Sequence, residues 1–108
     1  MRQRDTSKIP WDLVPWGAVT SMAEIVAFGA FTKYAPEDWR ANVRMRDHVR
    51  AAIGHSITFL RGDHFDEETG KCHLAHAMCR IAMALELFQG DKAAALPDDP
   101  LPAAQKIP

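Results

Sequence analysis

Apolar side chains recur with the period of an α-helix in three separate stretches of this chain, and prolines and glycines fall between them. The first stretch, WGAVTSMAEIVAFGA, follows Pro15, which suits a first helical turn because its missing N–H is not needed there. It predicts a helix from Pro15 to about Ala30, with Val19, Met22, Ala23, Val26 and Ala30 as its apolar face. The second runs from Arg44 to Arg61, with Val49, Ala52, Ile53, Ile57 and Leu60 as the core face and Arg61-Gly62 as the stop. The third starts near Gly70 or Lys71 and continues to Gln89, with Leu74, Ala77, Met78, Ile81, Leu85 and Phe88 inward and Gly90 beyond. The chain therefore reads as all-α: a flexible leader over 1–11, a helical domain of three main helices over 12–90, and a Pro-rich extended tail over 91–108. A single domain of this size builds only a modest core, and three such helices carry more apolar face than it covers, so a homo-oligomer is expected.

The net charge of -1 argues against a nucleic-acid surface, and no apolar run reaches the length of a membrane span. The polar start MRQRDTSKIP is unlike a secretory signal, so the expected compartment is the cytoplasm, with the two cysteines reduced. Cys72 and Cys79 lie too far apart along one helix to bridge each other. Both are expected as small buried hydrophobes; a zinc site with His76 lacks a C-x-x-C pair and a fourth ligand. One basic concentration, Arg40, Arg44, Arg46 and Arg50, either steers a small anion or forms a charged outer helix face.

Chemistry concentrates between Gly54 and Cys79, GHSITFLRGDHFDEETGKCHLAHAMC. Four of the five histidines lie there, with Asp63, Asp66, Glu67 and Glu68 in the connecting loop. Oxygen and imidazole groups gathered between two helix ends suit a divalent metal: magnesium or manganese, with cobalt or zinc as alternatives. The competing reading is a solvated acidic loop. It is no EF-hand, because the D-x-D-x-D-G ladder is missing. His73 and His76, three apart at a helix start, face this loop. His55, between Gly54 and Ser56, is the inward candidate of the preceding helix, whereas His48 among arginines reads as solvated. Gly54 inside a helix makes sense where another helix or a ligand approaches closely. Glu24 is the one ionisable side chain in an apolar helix and needs a metal or cation partner unless it sits at the solvent edge. In FTKYAPEDWR, Lys33 and Arg40 offer phosphate contacts and Tyr34 and Trp39 offer stacking faces, although both aromatics could simply pin the loop.

The order of motifs, D-L-V-P before a helix ending F-G-A, then K-Y-x-x-x-x-W-R, a helix with an internal histidine, G-D-x-x-D-x-E-x-G and H-L-A-H-A, resembles the phage-borne dATP/dGTP diphosphohydrolase N-terminal domain family. That family is discussed alongside the all-α, MazG-like nucleotide pyrophosphatases, whose paired E-x-x-E is absent here. The resemblance covers roughly residues 12–87 and implies metal-dependent hydrolysis of a purine deoxynucleoside triphosphate to monophosphate and pyrophosphate, in the host cytoplasm if the gene is carried by a phage. Lys33, Tyr34, Trp39, His55, Asp63, Asp66, Glu68, His73 and His76 fall on its motifs, with Glu24 on the preceding helix.

Attack of water on the α-phosphorus needs phosphate charge neutralised and a water made nucleophilic. The residues assigned to that work are Glu24, Asp66, Glu68 and His73 at the metal, and His55, His73 and His76 in catalysis. Lys33, Tyr34, Trp39, Arg40 and Asp63 are assigned to the nucleotide. Which histidine is ligand and which is base stays open. Two other readings are a non-catalytic nucleotide- or metal-binding accessory domain of the same fold and a structural metal module.

Overall fold

The computed structural model describes residues 8–33, 35 and 37–90. A 3₁₀ turn, Trp11–Leu13, leads into α1 (Trp16–Thr32), followed by α2 (Asp38–Ala41), α3 (Met45–Leu60) and α4 (His73–Gln89). The fold is all-α, with the three long helices expected and one short helix, α2, in a stretch expected as a connection. The tail over 91–108 and the first seven residues of the leader lie outside the described residues.

Local chemistry accounts for the boundaries. Pro15 is the residue before α1 and accepts from the amides of Ala18 and Val19, so the proline starts the helix without losing a needed donor. At the end of α3 the amide of Gly62 bonds the Phe59 carbonyl and that of Asp63 bonds the Thr58 carbonyl. Gly62 takes φ +98, so this is the glycine-dependent double closure of a helix end. Helix α4 starts later than expected. Residues 65–72 are occupied by an isolated bridge between Phe65 and Cys72, and the Cys72 side chain caps the amide of Leu74.

Helices α3 and α4 form the main pairing, and α1 packs on α4. Contacts of His48 with Arg80 and of His55 with His73 run in opposite chain directions, so α3 and α4 are antiparallel. Among the described residues the buried apolar side chains are Ala52, Ala75, Ala77, Cys79 and Ala84. This corrects the expected core. Ala52 and Ala77 are inside, but Val49, Ile53, Ile57, Leu60, Leu74, Ile81, Leu85 and Phe88 are exposed, Leu60 at 82%. Small residues let the two helices approach closely, and the large aliphatics are turned to the other side of the pair. His48 is corrected in the opposite sense: expected among solvated arginines, it is 1% exposed. Gly54 meets nothing within 4 Å of where a Cβ would stand, so no close approach explains it.

Candidate functional site

The loop between α3 and α4 is built around Asp66. Its Oδ1 accepts from the amides of Glu68 and Thr69, each at 3.0 Å, and from the Thr69 hydroxyl at 3.3 Å. Its backbone closes the turn through Asp66 N to Lys71 O and Gly70 N to Asp66 O, with Gly70 at φ +70. Burial pushes the Asp66 carboxyl up, but the Thr69 amide, the His76 ring and the Glu68 amide together outweigh it, so its pKa falls below the usual carboxylate value. Asp66 is therefore an ionised, fixed oxygen donor at the start of α4.

Three imidazoles meet beside it. His55 of α3 stacks on His76 with ring centroids 4.6 Å apart and planes 15° apart, and its Nδ1 lies 2.9 Å from Nδ1 of His73. His73 is buried because it opens α4 against α3, its amide held by the His64 carbonyl at 2.8 Å. His76 Nε2 is 2.7 Å from the Thr69 hydroxyl and 3.9 Å from Asp66 Oδ1. Burial is the main cause that lowers the pKa of both His55 and His76, so both are neutral at pH 7.

A metal fits this cluster by a test internal to the fold. One ring of the His55–His73 pair must donate and the other accept, yet the buried Nε2 of His73 has no hydrogen-bond partner. Protein interiors seldom leave such an atom unsatisfied. Ligand atoms of His55, Asp66 and His73 lie within 4.8 Å of one another, so these three residues could together hold one ion. Two imidazoles with one carboxylate suit a borderline divalent ion.

The cluster opens on a cleft of about 530 Å³, the size range of small-molecule sites. Lys33, Trp39, His55, Asp66, Glu68 and His76 from the sequence assignment line it. The remaining assigned residues lie around it. Glu24 meets Lys71 at 2.7 Å, and Glu68 holds Lys33 at 2.9 Å; neither carboxylate joins the His55–Asp66–His73 group. Asp63 is exposed, with Oδ1 3.7 Å from His73 Nε2. Arg40 pairs with Glu37 at 3.0 Å and lies over the Trp39 ring at 4.3 Å. Tyr34 lies outside the described residues.

Sequence reasoning passed over Thr69, His48 and Arg80, all of which line the cleft. Arg80 carried a readable signal. It is the one Asp, Glu, Lys or Arg between His73 and Leu85, as Glu24 is in α1, and a lone charge in an apolar helix calls for a partner. Its partner is His48, which spacing along the chain does not reveal.

A family model described as dATP/dGTP diphosphohydrolase, N-terminal, matches residues 1–95. No curated protein and no solved structure matches the chain. No helix among the described residues is long and apolar enough to cross a membrane.

Proposed function

We propose, for a chain that belongs to the dATP/dGTP diphosphohydrolase N-terminal family, metal-dependent hydrolysis of dATP or dGTP to the monophosphate and pyrophosphate, in the cytoplasm. The observation that carries this reading is the convergence of His55, Asp66 and His73 where His55 and Asp66 line a nucleotide-sized cleft.

A divalent ion held by His55, Asp66 and His73 would supply positive charge to the phosphate oxygens and to the attacking water. The chain's own groups do the rest. Lys33 orients the polyphosphate, and the Trp39 ring, which also lines the cleft, stacks on the purine. The water oxygen forms the new bond to the α-phosphorus as the bond to the bridging oxygen breaks and pyrophosphate leaves. Its proton passes to His76, which is neutral beforehand and whose imidazolium is stabilised by ionised Asp66 at 3.9 Å. Incubation with each dNTP and NTP, in magnesium, manganese or cobalt, with separation of pyrophosphate from orthophosphate, tests the reaction. Pyrophosphate release lost in Asp66→Asn and His73→Ala is expected; orthophosphate release or no turnover overturns it.

A binding domain without catalysis is the second reading. It is favoured by Glu24 and Glu68, which are engaged by lysines, leaving Asp66 as the one carboxylate in the cluster. Metal-dependent nucleotide binding without turnover is its signature.

The oligomer expected from the sequence acquires a definite face. On α3 and α4 the exposed aliphatics lie roughly opposite the histidines, and His55 stacks on His76, so both apolar stripes share the side of the hairpin away from the cleft. Val49, Ile53, Ile57, Leu60, Leu74, Ile81, Leu85 and Phe88 are all exposed there, a contiguous run of large apolar side chains of the kind that interfaces cover. Among the described residues the buried apolar side chains are all small, so one copy has little apolar burial of its own, and a second copy laid across this face completes a four-helix core.

A further inference from the structure

We infer that Arg80, held in place by His48, is a second anion-binding group of the cleft beside Lys33 and takes a phosphate of a nucleoside polyphosphate; this rests on reading the cleft as a nucleotide site. The hydrogen bonds of His48 can be fully assigned. Its Nε2 lies 2.9 Å from the Trp39 carbonyl, an acceptor only, so that nitrogen carries the proton and donates. Its Nδ1 then presents a lone pair, which accepts from Nε of Arg80 at 2.8 Å. Burial lowers the pKa of His48, which keeps the ring in this neutral form. A fully buried imidazole thus fixes the plane of the guanidinium and leaves both Nη groups for another acceptor.

The other cations near the cleft are arranged differently. Lys33 is paired with Glu68 and Arg40 with Glu37, whereas Arg80 makes no ion pair among the described residues. A neutral support orients the guanidinium without cancelling its charge. A half-buried cation with no counter-charge is costly for a merely structural link between α3 and α4, and an anionic ligand in the cleft removes that cost. Two parallel N–H donors in a fixed plane match a phosphate better than any lysine can.

The test is calorimetric titration of the whole chain with inorganic tripolyphosphate in magnesium buffer, and with dATP, alongside thermal unfolding. Arg80→Gln should weaken both ligands about tenfold or more while leaving the unfolding midpoint unchanged or raised. Arg80→Lys should fail to restore binding, and His48→Gln should weaken it less than Arg80→Gln does. Wild-type binding of dATP with equal binding by Arg80→Gln or by Arg80→Lys overturns the role of Arg80 and leaves the nucleotide reading intact. A wild-type protein that binds neither ligand overturns both together.

Discussion

The α3–α4 hairpin carries its imidazoles on one side and its large aliphatic side chains on the other, and the better-buried side is the polar one. On that side His48 and His73 are buried and His55 and His76 partly buried, each with named partners. On the far side Ile53, Leu85 and Phe88 are about half exposed. A helix pair folding only to hide apolar surface would have turned the other way. The difference teaches that α1 and the loop cover the chemical side of the hairpin and leave its apolar side exposed among the described residues, the face we propose a second copy covers.

The largest effect that sharpens this contrast belongs to the apolar side. Ile57→Asp with Leu85→Asp should convert a dimer to monomer, read by light scattering after size exclusion, because two charges cannot be desolvated in that interface. A wild-type monomer, or a dimer that survives both charges, would break the assignment.

On the polar side, Asp66→Ala removes three hydrogen bonds that organise the loop, and should cost about 2 kcal/mol in chemical denaturation. Thr69→Ala also removes three, from the hydroxyl to Asp66, to His76 and from the Lys71 amide, and should cost a similar amount.

Acid should act on the polar side alone. The folded pKa of His48 lies below its ordinary 6.5 because of burial, with the Trp39 carbonyl and Asp47 raising it and Arg80 lowering it further. Above the ordinary value the ring is neutral in folded and unfolded chains, and its contribution is fully present. As pH falls below 6.5 the unfolded chain takes a proton that the folded chain resists, and that stability is lost down through the folded pKa. The unfolding midpoint should therefore fall between pH 7.5 and 5.5, and less steeply in His48→Gln. His55 and His76 carry the same sign. Equal slopes in both proteins would remove His48 from the account.

The smallest effect concerns Gly54, which sits in α3 with open space around it and no positive φ. Gly54→Ala should stabilise by about 1 kcal/mol without touching either side's chemistry.

Helix existence was legible in the sequence because 3.6-residue periodicity and the punctuation at Pro15, Gly62 and Gly90 survive into the fold. Which face turned inward was not. Periodicity places Val49, Ile53 and Ile57 on one stripe, but burial depends on what lies across from it, and α3 meets α4 through the His48 and His55 side instead. His48 looked solvated for the same reason: its sequence neighbours are arginines, while its spatial neighbours are Trp39 and Arg80. The meeting of His55 with His73 and His76 was partly legible, since loop length and helix period bring them near one end of the hairpin. Pairing of Glu24 with Lys71 and of Glu68 with Lys33 depends on how α1 docks, which no local pattern records.

The most direct measurement is pyrophosphate release from dATP and dGTP by the wild-type chain and by His73→Ala, with circular dichroism confirming that both are folded. Metal-dependent release by the wild type, absent from His73→Ala, is the predicted result. A folded wild-type protein that binds metal yet releases no pyrophosphate from either nucleotide would contradict it and leave the polar side of the hairpin as a binding site.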